Sequence, residues 1–591
     1  MPWASQVGFG FASFLLGNVQ QAQEKTAVHL YGRRKELSLF SSDTFKVNQR
    51  LTLVLGLNWG QTYPWKEKYC NWGNFNTTKI NPTLGIPGVM EYATPGTSFE
   101  GPLHWTDFAP RVGGAYKISD RIVARASYGL FYVPIGSNYW GGVPYGFAPQ
   151  AVATNIVNKT ANFTPAFNWD GGYPGVSIPG TKDPNYLTWG MVSVSPHSLT
   201  PGRVQQFNAG GQIQLSKSTL LSLNYLGTRG DRLHDGELEN NSPPNNTYLN
   251  LINSAHFWDW ISDSTSAGTA GVPFPYAGFS GYAWQTITPF PQVTNTYGPI
   301  LGVNSPLGIS EYDSFQAEVV QRQSYGLTLN LSWVLSRQRT NTDEYNGNFQ
   351  ETWVDHPTLQ NIFDKSYSAN FIRPWNQSIV KGYVVYSLPF GRGRKFLSDH
   401  AGIVNGALSG WTVSSTMYYG TGVPLGYGAG VYGPSSETPL YSTNYYPGWI
   451  NGTYSPGTVY ANLAPGANLS NHFSKGKFDP ANPTAAGAYF SPTALTNPKY
   501  GSLGNAGPYV PSLTGFGTAE EDLALTKSFS FGESIHMELR GEFFDVFNRH
   551  YFADPDTNIA SPTFGYVLTT AANRQSGIYA RQGQISARIS W

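Results

Sequence analysis

Apolar and polar residues alternate with a period of two along many stretches of this chain. In RLTLVLGLNW, every second residue from Leu51 to Trp59 is apolar, and in LTLNLSW the same holds from Leu327 to Trp333. Alternation of this kind predicts β-strands with one apolar and one polar face. Several stretches approach ten residues, the length with which a tilted strand crosses a bilayer.

The predicted strands come in pairs that are joined by short polar turns. The pairs cover residues 111–132, 206–227, 314–336 and 522–544. Long stretches without a sustained period separate them, at roughly 61–102, 136–200, 234–310, 340–370 and 422–517. Short turns at one end and long loops at the other are typical of outer-membrane barrels. The pattern predicts an all-β protein, a transmembrane antiparallel up-and-down β-barrel of about 13–16 strands with long extracellular loops.

Composition agrees with a barrel and argues against several other classes of protein. Charged residues make up 12% of the chain and aromatic residues 15%, against roughly 25% charged in ordinary soluble proteins. The mean hydropathy is −0.30, and no run approaches the ~20 apolar residues of a membrane helix. The 37 basic and 36 acidic residues give a net charge of +1, which offers no electrostatic basis for nucleic-acid binding.

The sequence contains no pattern that indicates catalysis or metal binding. A single cysteine, Cys70, excludes an internal disulfide and a cysteine-rich zinc site. The ten histidines are scattered, and neither His-Glu-x-x-His nor Gly-x-Ser-x-Gly occurs. We therefore expect no enzyme activity, no metal and no cofactor.

The two ends of the chain differ in their signals. The apolar piece at 9–17 lacks the basic flank of a secretory signal, and the first basic residue is Lys25. This indicates either a cytoplasmic protein or an N-terminus that lies further upstream. At the other end, Ile585, Ile589 and Trp591 share one face of an alternating segment that closes the chain. We expect the last strand to pair with the first, and these three residues to resemble the signal read by the barrel assembly machinery.

Three loop segments are rich in tyrosine and tryptophan: NYWGGVPYGF, HFWDWI and YSTNYYPGWI. Such side chains offer large, rigid contact areas that suit the binding of sugars, peptides or proteins. The candidate ligand contacts are Tyr139, Trp140, Tyr145, Trp258, Trp260, Tyr445, Tyr446 and Trp449. The alternative is that these rings pack on one another and cap the mouth of the barrel.

Segments along almost the whole chain resemble the barrel of Oar-like TonB-dependent receptors, which are abundant in acidobacteria. Among them are APRVGGAYKISDRIVARASYGLFY, SLPFGRGRKF, LSGWTVSSTMYYGTGVPL and RGEFFDVFNRHYF, in the order of that family. The resemblance implies energised uptake through a barrel of about 22 strands, with a plug moved by TonB. A signal peptide, a regulatory-like β-sandwich, a TonB box and a plug are not visible here. Residues 1–591 therefore resemble the C-terminal part of such a barrel.

The leading hypothesis is an outer-membrane receptor for TonB-dependent uptake of a large, scarce ligand: a carbohydrate, a peptide or a chelate. It places the protein in the bacterial outer membrane, with lipid, the assembly machinery and an unknown extracellular ligand as partners, and with TonB acting only through a plug. Three alternatives remain: an envelope-organising or adhesive surface protein, a passive porin-like pore, and a soluble all-β carbohydrate-binding protein or glycosidase.

Overall fold

The computed structural model describes most of the chain. The described residues are 10–19, 21–25, 31–70, 72–133, 154–158, 165, 167–172, 184–185, 191–238, 246–252, 254–293, 300–340, 371–372, 377–391, 393–398, 402–426, 461–467, 469, 472–496, 505–506, 509–531, 534–557, 559, 561–573 and 576–591. None of the helices in these ranges combines the length and the apolarity needed to span a membrane.

One antiparallel sheet dominates the described structure. Thirteen long strands follow one another in chain order, and each pairs with the next. They are β1 (Glu36–Lys46), β2 (Leu51–Thr62), β3 (Phe108–Ser119), β4 (Ile122–Val133), β5 (Gly202–Gln214), β6 (Thr219–Leu238), β7 (Ile300–Ser324), β8 (Leu327–Thr340), β9 (Ser378–Ser387), β10 (Trp411–Gly420), β11 (Thr518–Phe531), β12 (Ile535–Phe544) and β13 (Gln582–Ser590). This up-and-down order and the number of strands confirm the predicted fold class.

Shorter elements surround this sheet. Met191–Val194 pairs with β7 in parallel, and Phe371–Ile372 pairs with β8. Two-stranded ladders join Asn18–Val19 to Phe167–Asn168, Gln21–Lys25 to Thr154–Asn158, Gly32–Arg33 to Lys66–Glu67, Gly73–Ile80 to Pro87–Tyr92, Trp260–Ile261 to Gly281–Tyr282, Pro424–Gly426 to Tyr509–Thr514, Asn462–Leu463 to Leu495–Thr496, and Tyr551–Phe552 to Thr570–Ala571. The helices are α1 (Gly10–Leu15), α2 (Asn246–Ile252), α3 (Ser264–Ala270) and α4 (Gly402–Leu408).

The two ends of the sheet carry different connections. At the short-turn end the strands are joined through 47–50, 120–121, 215–218, 325–326, 388–410 and 532–534. At the long-loop end they are joined through 63–107, 134–201, 239–299, 341–377, 421–517 and 545–581. The four predicted hairpins and their turns are confirmed. Alternation did not predict α4, which lies within the 388–410 connection, or the long connection at 545–581.

Strand register sorts the side chains of the sheet into an apolar face and a polar face. On the apolar face, Leu331 of β8 lies opposite Val319 of β7 and Gly382 of β9. One residue further along β8, Ser332 lies opposite Glu318 and Lys381. Because successive side chains of a strand point to opposite faces, this pairing extends the alternation of single strands into two continuous surfaces.

Charged side chains line the polar face near the last strands. Arg540 and Glu542 of β12 form an ion pair of 2.5 Å, and Gln584 of β13 donates a hydrogen bond to Glu542. A polar interior and an apolar exterior are the arrangement expected of a membrane barrel.

Aromatic side chains mark two levels of the apolar face. Near the short-turn end, Trp411 begins β10, and Tyr419 lies near the other end of the same strand. The eight steps between them span about 26 Å along the strand, or about 20 Å of depth at a tilt of about 40°. Beyond the upper aromatic level come charges, including the Arg203–Asp231 pair at 2.9 Å. The apolar band of the sheet therefore ends where these ion pairs begin.

The described sheet has two open edges. β1 pairs only with β2, and β13 only with β12, and every residue of both edge strands is exposed. The expected pairing of the last strand with the first is therefore wrong for the described residues. The thirteen described strands do not bring the two edges together. That the barrel is partial stays a prediction.

The apolar cores of the protein lie mainly in the long connections. Phe75, Phe279 and Phe490 are among its largest fully buried side chains, and each belongs to a different long connection. Three separate buried clusters form around them. The cluster around Phe279 lies within a single connection, whereas the clusters around Phe75 and Phe490 each join residues of two connections, through Phe290 and Phe552 respectively.

A charge placed on the apolar face should be far more harmful than one on the polar face. We expect Leu331→Arg to destabilise the membrane-embedded protein by about 2–4 kcal/mol, because the guanidinium would face hydrocarbon. The neighbouring Asn330→Arg is the control, since Asn330 already contacts Glu318 at 3.2 Å on the polar face. The free energy of unfolding in lipid vesicles measures both; equal losses for the two variants would contradict the assignment of the faces.

Candidate functional site

The best-defined module at the long-loop end covers residues 254–293, with α2 packed against it. Its core contains Leu251, Phe257, Ile261, Phe279 and Trp284, all buried. The segment HFWDWI therefore divides its side chains between two environments. Phe257 and Ile261 enter the core, while the tryptophans between them point outward.

Local signals in the sequence explain how this module folds around α3. The side chain of Asp263 accepts a hydrogen bond of 2.8 Å from the backbone N–H of Ser266, and so caps the first turn of the helix. This bond lowers the pKa of the Asp263 carboxyl, because it favours the charged form. Gly271 ends α3 with a φ of 69°, a conformation that glycine adopts without strain.

Three exposed rings form a row on this module, which we call the aromatic row: Trp258, Tyr282 and Trp260. The ring centroid of Tyr282 lies 5.6 Å from that of Trp258 and 5.1 Å from that of Trp260, with both pairs nearly perpendicular. Their exposed fractions are 45% for Trp258, 55% for Trp260 and 38% for Tyr282. Tyr282 is the cross-strand partner of Trp260, so backbone pairing fixes their spacing.

Polar groups flank the aromatic row. Nδ1 of His256 lies 2.6 Å from Oδ2 of Asp259, and both side chains are partly exposed. The backbone oxygen of Asp259 accepts a hydrogen bond of 2.8 Å from Ala283, and Gln285 accepts one of 2.7 Å from the N–H of Tyr282. Aromatic faces beside a carboxylate and an imidazole can stack on a ligand and hydrogen-bond to its polar groups.

The structure brings together two of the predicted ligand contacts and adds one that the sequence did not indicate. Trp258 and Trp260 lie in the same row, and neither is buried beneath other described loops. Tyr282 was missed because only a ladder between segments twenty residues apart brings it to them. The other candidates, Tyr139, Trp140, Tyr145, Tyr445, Tyr446 and Trp449, lie outside the described residues. Ligand contact by any of the eight stays a prediction.

The three residues of the predicted assembly signal lie on the apolar side of the last strand or directly after it. Ile585 is opposite Gly541 and Ile589 is opposite Met537, and Trp591 follows the end of β13. All three are exposed, Trp591 to 92%. Their recognition by the assembly machinery stays a prediction.

A second polar feature lies in the 63–107 connection, around Glu100. Oε2 of Glu100 accepts a hydrogen bond of 2.7 Å from the N–H of Trp65, while its buried Oε1 has no hydrogen-bond partner among the described atoms. Arg34 lies 5.5 Å from the ring centroid of Trp65. Burial raises the pKa of Glu100 to about 7, and the hydrogen bond from Trp65 and the charge of Arg34 oppose this only in part.

Comparison with known families identifies the class of protein. Residues 3–584 match the outer membrane beta barrel domain family. The chain belongs to this family. It is therefore a protein of the bacterial outer membrane, whose apolar face meets lipid. The long-loop end of the barrel is extracellular and the short-turn end is periplasmic.

Solved structures similar to this chain include two receptors and a transporter. They are the ferripyoverdine receptor of Pseudomonas aeruginosa (9% identity, TM-score 0.34), the ferric preacinetobactin receptor BauA of Acinetobacter baumannii (8%, 0.35) and the transporter YddB of Escherichia coli (9%, 0.34). The matches cover 95%, 95% and 96% of this chain, but only 39%, 44% and 54% of the respective proteins, so the chain spans about half of their length or less. No curated protein matches the barrel in sequence.

The buried Glu100 should make the 63–107 connection less stable as the pH rises. Because the folded pKa is about 7 and the ordinary value is 4.5, the folded state holds the proton more tightly. Stability is therefore greatest below pH 4.5, falls by up to about 3 kcal/mol as the pH rises to 7, and is then constant. We expect Glu100→Gln to remove this dependence and to slow proteolysis of the connection at pH 8.

Rates of limited proteolysis in intact membranes at pH 5 and pH 8 measure this effect. Glu91→Gln is the matched control, because Glu91 lies in the same connection but pairs with Lys79 at 2.8 Å. Equal pH dependence in the wild type and in Glu100→Gln would show that Glu100 is not the responsible group.

Proposed function

We propose that this barrel serves TonB-dependent uptake of a large, scarce ligand, a carbohydrate, peptide or chelate, and that the aromatic row contacts the ligand at the cell surface. The observation that supports this most directly is the row itself. It holds three aromatic rings at fixed spacing, partly exposed, on a loop module with its own buried core. Energy would reach the barrel through a plug domain moved by TonB.

Physical chemistry favours an extended ligand for such a surface. Rigid aromatic side chains lose little conformational entropy on binding and offer large contact areas. Three neighbouring rings present more surface than a simple ion can use, whereas a sugar chain or a peptide can contact several rings at once. The His256–Asp259 pair beside the row supplies the polar contacts that give orientation.

Two other functions suit particular features of the barrel. A polar inner face, with the Arg540–Glu542 pair, would also suit a passive pore for small solutes. Exposed aromatic rings at the cell surface would also suit adhesion to other cells or to matrix. Uptake differs from both, because it requires energy and is selective for its ligand.

Deletion of the gene in the source bacterium distinguishes these functions. We expect the deletion strain to lose accumulation of one of three radiolabelled probes: a maltooligosaccharide, a peptide mixture or a ferric chelate. A protonophore should abolish the same accumulation in the wild type, because TonB draws on the proton gradient. Uptake that resists the protonophore, together with conductance in planar bilayers, would instead indicate a pore. Unchanged uptake with lost adhesion would indicate a surface protein.

Removal of two rings from the aromatic row should weaken uptake at low ligand concentration. We expect Trp258→Ala with Trp260→Ala to raise the concentration for half-maximal accumulation of the responsive probe about tenfold or more. Trp169→Ala is the control, since Trp169 is 60% exposed in a different loop. If the double variant and the wild type gave equal accumulation curves at equal amounts of folded protein, the aromatic row would not be part of the binding site.

A further inference from the structure

The periplasmic connection 388–410 differs from the other short-turn connections because it contains a helix, α4, that lies on the lipid-facing side of the barrel. Lys527 of β11 is opposite Trp411 of β10 on the apolar face. Its Nζ donates hydrogen bonds to the backbone oxygens of Gly406 and Ser409 and lies 3.4 Å from that of Ala407. A lysine at the C-terminal end of a helix satisfies carbonyl groups that lack partners. Lys527 thus holds α4 against the outside of the wall.

Aromatic rings complete this attachment. Nζ of Lys527 lies 5.3 Å from the ring centroid of Trp411 and 5.0 Å from that of Phe529. The indole N–H of Trp411 donates a hydrogen bond of 2.8 Å to the backbone oxygen of Ala407. Trp411 lies at the lower aromatic level of the apolar face, so α4 lies at the depth of the membrane–water boundary.

The connection exposes apolar side chains that a water-facing loop would bury. The exposed fraction is 93% for Ile403, 50% for Val404, 48% for Phe396 and 44% for Leu397, and no side chain of α4 is buried. At the boundary of a bilayer these side chains can enter the acyl region, as interfacial helices do.

Basic residues accompany this apolar surface. The connection carries Arg392, Arg394 and Lys395 against one acidic residue, Asp399. Arg394 and Lys395 are exposed. The turn that bears them packs against α4 and the residue after it, since a Cβ on Gly391 would lie 3.0 Å from Oδ1 of Asn405 and would collide with Ser409. Clustered lysine and arginine at a membrane surface attract anionic headgroups.

A groove of about 850 Å³ runs between α4 and the last three strands on the lipid-facing side. The groove is lined on one side by Ala407 of α4. On the other side it is lined by residues of strands β11 to β13: Leu523, Phe529, Leu539 and Ile585. From Phe529 to Leu523 the groove follows β11 for about 20 Å, which at a tilt of about 40° is about 15 Å of depth. That is half of a hydrocarbon core of about 30 Å, the depth of one leaflet.

We propose that the 388–410 connection binds an anionic phospholipid of the periplasmic leaflet, with its headgroup at Arg394 and Lys395 and an acyl chain in the groove beneath α4. The charge of the turn, the depth of the groove and its continuity with the lipid-facing surface all fit this one ligand. The site would anchor the barrel at a fixed height in the membrane, independently of what the extracellular loops bind.

The test measures lipid retained by the full chain after purification from outer membranes. The protein is exchanged into detergent that contains equal amounts of phosphatidylglycerol and phosphatidylcholine, and bound lipid is counted by native mass spectrometry. We expect the wild type to retain more phosphatidylglycerol than phosphatidylcholine. Arg394→Glu with Lys395→Glu should weaken this binding about 30-fold, because two headgroup contacts are lost.

A second variant tests the groove without altering charge. Gly541 lines the groove, and a Cβ there would meet no atom within 4 Å, so the backbone at this position accepts a side chain and Gly541→Phe places a ring in the groove. We expect it to reduce retained phosphatidylglycerol at least tenfold. Val112→Phe is its control, because Val112 is 48% exposed on the apolar face of β3, opposite Leu55 and outside the groove. Arg121→Glu with Lys217→Glu, at two other periplasmic turns, is the control for charge. A heat-modifiable band on gels confirms folding of every variant.

Three results would overturn the proposal. They are equal retention of the two lipids by the wild type, equal losses in the variants and their controls, and a wild-type dimer that Gly541→Phe dissociates. The last would show that a second copy of the chain fills the groove.

Discussion

Backbone hydrogen bonding in a medium without water is the constraint on which this structure depends. Each N–H and C=O group of a strand in hydrocarbon needs a partner on a neighbouring strand, since an unpaired group costs several kcal/mol. The unbroken ladder from β1 to β13 meets this demand across its interior. Once the backbone groups are paired, the side chains need only suit the medium that they face. The two-residue alternation achieves this, because it places apolar side chains toward lipid and polar side chains toward the interior.

The same constraint gives the edge strands a special status. β1 and β13 each present one row of backbone groups that no described strand pairs. β1 also places Asp43 on the apolar face, opposite Leu55, where a carboxylate facing hydrocarbon would be costly. A charge pointing from an edge strand is a common protection against indiscriminate pairing. The two edge strands are thus the part of the sheet whose stability depends most on further hydrogen-bond partners for their backbone groups.

Sequence patterns predicted the parts of the fold that local geometry determines. The alternation of apolar and polar residues predicted the strands of the main sheet, and short polar segments such as Ser119-Asp120 predicted their turns. The sequence could not predict the aromatic row, because Tyr282 reaches Trp260 only through a ladder inside a folded loop. It could not predict α4 either, since a seven-residue helix is too short to show a clear period and is held by Lys527 from a distant strand.

Exposure of an aromatic or apolar side chain has different meanings at the two ends of this barrel. Trp258 and Trp260 are exposed on a module whose own core, with Phe279 and Trp284, is complete. Their exposure is therefore not a sign of incomplete folding, and the two rings are free to contact a ligand. Ile403 is exposed on a helix that has no buried residue and no core of its own. Besides its hydrogen bonds from Lys527 and Trp411, such a helix is stabilised by an apolar phase that covers it, and at the lower aromatic level that phase is the lipid. Position relative to the apolar band, rather than exposure itself, therefore separates a recognition surface from a membrane anchor.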